Sequence, residues 1–215
     1  MTVRFRAVLF DYDGVLVDSL PVHVRSWQHA FARYGVDVEA LEVMLNEGEK
    51  ALKTAKKIAD KRGLKLSEEE FRILLREKRD YYRLHAPEGL LPEAVDLLKQ
   101  IKQRGLRLAL VTGSIMKNLE RVMSQDEKSL FDCIITSETV DNSKPHPEPF
   151  LRAAQELGLS PGECLVLENA PLGIKAARSA GMSVAAITTT LPREYLKEAD
   201  WVLEEYKQLT EIIGG

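Results

Sequence analysis

The 215-residue chain has only two cysteines, Cys133 and Cys164, few aromatic residues (7%) and no excess of charge of either sign. It also has no apolar run near the roughly 18 residues of a membrane-spanning helix. Each shortage excludes something. Both cysteines sit inside apolar runs, DCIITS and ECLVLE, that read as buried strands, so reduced core thiols are expected there and neither a disulfide nor a thiolate metal site. Thirty Lys and Arg against 33 Asp and Glu leave a net charge of -3, which provides no field able to hold nucleic acid or an anionic membrane surface. The opening MTVRFRAVLFDYDG reaches acidic residues too early for a signal peptide, so a cytoplasmic location is expected. With 45% hydrophobic and 29% charged residues the composition is that of an ordinary globular protein, and a monomer is expected.

What the chain does contain is an alternation of short apolar runs with helical patterns. The runs are RAVLF at 6–10, LRLALVT at 106–112, CIIT at 133–136, CLVLE at 164–168, SVAAI at 183–187 and DWVL at 200–203. Strands so continuously apolar suit a parallel sheet covered on both faces. Helices with recognisable ends lie between them, such as LPEAVDLLKQIKQRG, with Pro92 early and Gly105 just past the end. The expected fold is a Rossmann-like, doubly wound α/β core. The alternation fails once, between residues 17 and 87, where only helical patterns appear: VHVRSWQHAFARYG, ALKTAKKIADKRG and SEEEFRILLREKRDYYRLH. An α-helical cap over 17–87 is therefore expected, inserted into a core made of 1–16 and 88–215. It would lie over the carboxyl ends of the strands, where open α/β sheets bind ligands.

Polar residues follow four of these strands. Asp11 and Asp13 come directly after AVLF. Two such charges about 4 Å apart repel by about 4 kcal/mol at an effective dielectric of about 20, so a divalent cation or a bound proton is their natural partner. Thr112, Gly113 and Ser114 follow LRLALV and open a helix, offering a hydroxyl and backbone N–H groups to an anion. Lys144 lies in NSKPHPEP, where its ammonium could neutralise a phosphate, and Glu168 with Asn169 offers oxygens to a hard cation. Each segment alone reads equally as a turn, a helix cap or a solvated charge. Four together at four strand ends do not.

In order and spacing, DYDGVLVDS at 11–19, TGS at 112–114, SKPHPEPF at 143–150 and LENAPLGIKAARSAGM at 167–182 resemble the haloacid dehalogenase superfamily, in its phosphatase and β-phosphoglucomutase-like branch with a helical cap. The resemblance implies that Asp11 attacks phosphorus to form an aspartyl-phosphate, and that Asp13 protonates the leaving oxygen and then activates water. It implies that Thr112, Gly113, Ser114 and Lys144 hold the phosphoryl group, and that Asp11, Asp13, Glu168 and Asn169 bind Mg²⁺. For acid catalysis Asp13 needs a raised pKa, which burial under the cap is expected to supply.

One departure concerns the metal: relatives with this form of the fourth motif read Glu-Asp, whereas this chain has Glu168-Asn169, one negative charge fewer. The activity implied is a Mg²⁺-dependent phosphatase acting on a small phosphorylated metabolite of the sugar phosphate or phosphoglycolate type. The second reading is a sugar phosphomutase, supported by DSLPVHVRSW at 18–27, in which His23 would face the substrate. A catalytically impaired binding protein ranks third. In the cap, Gly48, Glu49 and Lys50 form a polar loop from which Lys50 could bind a distal anionic group.

Overall fold

Along the central strands alternate side chains enter two different cores, which is why the sequence shows unbroken apolar runs there. Val8 and Phe10 pack into a cluster on one face with Leu108, Leu110, Leu165 and Leu167. Ala7, Leu9, Ala109, Val111, Cys164 and Val166 pack on the other. The computed structural model describes residues 5–214. Its strands β1 (Ala7–Phe10), β2 (Arg107–Val111), β3 (Cys133–Ile135), β4 (Cys164–Glu168), β5 (Ser183–Ile187) and β6 (Trp201–Leu203) form one sheet in the order β3-β2-β1-β4-β5-β6. Every pairing is parallel. The order reverses beside β1, so the loops after β1, β2 and β4 open onto one crevice.

Between β1 and β2 run helices α1 (Leu20–Ala32), α2 (Ala40–Leu45), α3 (Ala51–Lys61), α4 (Glu68–His85) and α5 (Pro92–Gln103). The first four share a hydrophobic cluster of their own, with Trp27, Phe31, Ile58, Phe71 and Leu74. By contrast, α5 packs Ala94, Leu97, Leu98 and Ile101 onto the sheet. α4 begins where the sequence suggests, at a capping box: the Ser67 hydroxyl accepts from the Glu70 N–H at 3.3 Å and the Glu70 carboxylate accepts from the Ser67 N–H at 2.7 Å. The short α2 was not legible beforehand; its N-cap is Glu39, which makes no side-chain capping bond.

The remaining elements, α6 (Met116–Val122), α7 (Gln125–Ser129), α8 (Glu148–Glu156), α9 (Pro171–Ser179) and α10 (Lys207–Ile212), complete the layers on the sheet. Both cysteines are free, Cys164 buried and Cys133 half-buried, with burial pushing their thiols up to about 11 and about 12. Among the described residues no helix is long and apolar enough to cross a membrane.

Candidate active site

The strand ends bring Asp11, Asp13, Thr112, Lys144, Glu168 and Asn169 into one buried locus, each no more than 5% exposed. Asp11 is held there by the sheet itself, since its N–H donates to the Leu167 carbonyl at 3.0 Å and continues the β1–β4 ladder. Lys144 is the centre of charge. Its Nζ donates to Asp11 Oδ1 at 2.5 Å, to Glu168 Oε1 at 2.6 Å and to the Val111 carbonyl at 3.3 Å. Burial alone would lower the lysine pKa, but the two carboxylates outweigh it and keep Lys144 charged. The other oxygen of Glu168 accepts from the N–H groups of Asn169 and Ala170 at 3.0 and 3.4 Å. The first turn of α9 presses so closely that a Cβ on Gly173 would lie 1.8 Å from Glu168 Oε1, so only glycine fits.

Asp13 has separate partners. Its Oδ1 accepts from the Ser19 hydroxyl at 2.6 Å and lies 3.1 Å from His23 Nε2, and His23 Nδ1 in turn lies 3.0 Å from Lys78 Nζ. A lysine ammonium donating to Nδ1 leaves the proton on Nε2, directed at Asp13. The ring of His23 stacks on Tyr82, with centroids 4.4 Å apart.

The two carboxylates therefore diverge. Burial, opposed by Lys144 and reinforced by the charges of Glu168 and Asp13, raises Asp11 well above the usual carboxylate range. Burial also pushes Asp13 up, but His23, Ser19 and Lys78 together outweigh it and hold Asp13 below that range. This corrects the expectation of a raised Asp13: the cap does bury it, and the same cap supplies a His and a Lys that stabilise its anion.

Of the other residues singled out in the sequence, Thr112 Oγ1 accepts from the Ser114 N–H at 3.0 Å, and Gly113 and Ser114 line a cavity between cap and sheet. The loop after α2 closes onto the core. A Cβ on Gly48, whose φ is +86°, would come within 2.9 Å of Lys144 Cδ. Lys50 does not line this cavity: its ammonium donates to the Asp141 carbonyl at 2.5 Å, and the residue borders a surface groove and a small pocket that it shares with Thr112, Gly113 and Lys144.

Instead the cavity holds Glu47, Lys78, Arg79 and Asn118, none of which the sequence brought forward. One signal was available for Lys78: it continues the buried stripe Phe71, Leu74, Tyr82 of α4 at helical spacing. Burial lowers the pKa of Lys78 and raises that of Glu47.

Asn169 spends its amide N–H groups on the Asp13 carbonyl at 3.0 Å and on Thr190 Oγ1 at 2.7 Å, leaving its Oδ1 buried without a partner. An orphaned amide oxygen at the end of β4, on a side chain hydrogen-bonded to the Asp13 carbonyl, is the kind of hard donor a small divalent cation takes. Among the described residues no three His, Cys, Asp or Glu side chains converge as a metal cage. An ion here thus needs amide or backbone oxygens beside a carboxylate, and the residues present offer them.

A profile of haloacid dehalogenase-like hydrolases matches residues 5–181. Hexitol phosphatase A of Escherichia coli is 31% identical over 214 residues, 97% of this chain and 94% of that one. The β-phosphoglucomutase of Bacillus subtilis is 30% identical over 218 residues, 95% of this chain and 92% of that one. The crystal structure of β-phosphoglucomutase from Clostridium difficile superposes with a TM-score of 0.84 at 28% identity, covering 98% of this chain and 97% of that one. With an aspartate pair at the first strand end, a helical insertion above it and a match over most of its length, the chain belongs to the haloacid dehalogenase-like hydrolases.

Proposed function

We propose that this protein is a phosphatase that releases inorganic phosphate from a small phosphorylated metabolite through an aspartyl-phosphate on Asp11. The observation that carries the reading is the divergence of two carboxylates two residues apart at one strand end, Asp11 against Lys144 and Asp13 against His23. The partners assign them different tasks: Lys144 at 2.5 Å, with a cation bound at the strand ends, would favour the carboxylate form of Asp11 that attacks, against the burial that disfavours it, and His23 beside Asp13 leaves that carboxyl to exchange a proton. Asp11 forms a bond to phosphorus as the ester P–O bond breaks, and Asp13 gives its proton to the departing oxygen. The phosphoryl dianion, by adding negative charge beside Asp13, raises its pKa and loads that proton. Asp13, now anionic, takes a proton from water, whose oxygen attacks phosphorus as the bond to Asp11 breaks, and phosphate leaves.

Lys144 and the Thr112–Ser114 turn neutralise and orient the phosphoryl oxygens. Asp11, the Asp13 carbonyl and Asn169 Oδ1 would hold Mg²⁺, with Glu168 as the counter-charge that fixes Lys144. The ion would supply charge neutralisation between the nucleophile and the phosphoryl group. A cavity of about 300 Å³ suits a small molecule.

The test is phosphate release from p-nitrophenyl phosphate and from a hexitol phosphate. Turnover is expected with Mg²⁺, lost on chelation and restored by adding the ion back; a folded protein that releases no phosphate from either with Mg²⁺ present would overturn the reading. The second reading, a sugar phosphomutase, draws support from His23 against Asp13 and from the similarity to the two mutases. Efficient formation of glucose 6-phosphate from β-glucose 1-phosphate primed with the 1,6-bisphosphate, lost in His23→Ala, would establish it.

Metal binding is open to a separate check. Asn169→Asp removes both donated hydrogen bonds and sets a carboxylate against the Asp13 carbonyl. The metal-free variant should lose about 1–3 kcal/mol of stability, and Mg²⁺ should raise its melting temperature more than it raises that of the wild type. Equal Mg²⁺-induced shifts in the two proteins would put Asn169 outside the ligand set.

A further inference from the structure

A fifth strand end reaches the crevice: β5 is the neighbour of β4 and is followed by three successive threonines with different partners. Thr188 ties the loop to the outer sheet, its N–H donating to the Leu203 carbonyl at 2.9 Å and its hydroxyl to the same oxygen at 3.2 Å. The Thr189 hydroxyl donates to the Gly14 carbonyl at 2.5 Å, which fastens the loop to the turn after Asp13. Thr190 presents its oxygen to Asn169, whose Nδ2 donates to it at 2.7 Å. The packing here is close: a Cβ on Gly14, whose φ is +78°, would lie 2.2 Å from Asn169 Nδ2 and 2.6 Å from Thr190 Oγ1. The turn after β1, Asn169 and Thr190 thus form one packed unit.

A carboxamide has an oxygen and a nitrogen that exchange places on a half-turn of its last torsion, and that torsion has little preference of its own. In Asn169 the partners decide. The Asp13 carbonyl can only accept, so it takes one N–H at 3.0 Å, and Thr190 takes the other. With both N–H groups spent, Oδ1 is the end left over, buried with no partner. We propose, resting on the reading of these strand ends as a Mg²⁺ site, that Thr190 is a positioning residue for the metal: its hydroxyl holds the amide of Asn169 so that oxygen, rather than nitrogen, is offered to the ion. An amide NH₂ only donates, so an amide turned the wrong way removes a ligand altogether. A carboxylate is free of this constraint, because both of its ends are oxygen. The need for Thr190 therefore arises from residue 169 being an amide.

The experiment follows melting temperature against Mg²⁺ concentration, a readout independent of turnover, in wild type, Thr190→Val and Thr190→Ser, and again in Asn169→Asp with and without Thr190→Val. Thr190→Val keeps the shape and loses the acceptor. It should need at least about 10-fold more Mg²⁺ than the wild type for the same rise, the effect of losing a partner that orients a metal ligand. Thr190→Ser keeps the hydroxyl and should respond as the wild type does. In Asn169→Asp, adding Thr190→Val should not raise the Mg²⁺ requirement. An unchanged requirement in Thr190→Val would overturn the proposal and leave the metal reading standing. A loss shared by Thr190→Ser, or repeated at full size in Asn169→Asp, would overturn it as well, since either makes Thr190 a support for the loop and not for the amide. A wild type indifferent to Mg²⁺ would remove the metal reading and the proposal together, whereas a Thr190-dependent response without phosphate release would leave the proposal standing and remove the phosphatase reading. Should Thr190→Val fail to fold, Thr190→Ala makes the same comparison with a smaller side chain.

Discussion

Asp11→Asn is expected to lower phosphomonoester turnover by at least about a thousandfold while leaving the melting temperature unchanged or higher. The chemistry follows from the amide, which cannot supply the electron pair that bonds to phosphorus. The stability follows from charge arithmetic in the buried cluster. Lys144 carries one positive charge between Asp11 and Glu168, and Asp13 adds a third carboxylate nearby. Removing the charge of Asp11 leaves Lys144 and Glu168 as a balanced pair and takes away a carboxylate that burial already disfavours as an anion. Thermal denaturation beside phosphate-release assays would check both halves. Near-normal turnover in the folded variant would remove Asp11 as nucleophile, and a large drop in melting temperature would mean that Asp11 holds the loop as well as reacting.

The opposite substitution carries the opposite sign. Lys144→Met should destabilise the protein by about 3–5 kcal/mol, because removing one member of a buried ionic cluster strands the rest. For a chain of this size that corresponds to a fall in melting temperature of about 6–20 °C. The methionine fills most of the volume, so packing loss contributes little. In Asp11→Asn/Lys144→Met only Glu168 of the pair remains charged, and part of the loss should return; the double-mutant cycle measures the coupling directly. If Lys144→Met melted like the wild type, the three-way contact would be of no energetic consequence.

The sequence made the sheet and the mouth of the crevice legible for one reason: apolar strands end abruptly at residues with chemistry, and the sheet places those ends together whatever the loops do. Asp11 and Glu168, 157 positions apart, meet around Lys144 because β1 and β4 are neighbours. The cap was less legible. NEGEK at 46–50 and REKRD at 76–80 look like solvated charge, and their burial is decided by how α2 and α4 dock over the sheet, a long-range outcome with no local signature. Hence nothing local separates Lys50, which donates to the Asp141 carbonyl, from Glu47 and Lys78, which line the cavity. The pKa of Asp13 is illegible for the same reason: the sequence implies its burial but not the His23 and Lys78 that the docked cap brings to it.

The tight seat of Glu168 has a kinetic meaning. With one oxygen on Lys144, the other on two backbone N–H groups and Gly173 against the carboxylate, this side chain has no second rotamer to adopt. Lys144 is anchored through it and has little freedom to swing as charge migrates from leaving group to nucleophile to phosphate. The electric field at the strand ends is thus set when the chain folds and is already oriented when a substrate arrives. Each catalytic cycle then proceeds with little dipolar reorganisation, and a glycine five residues downstream of an acid becomes part of what determines the height of the barrier.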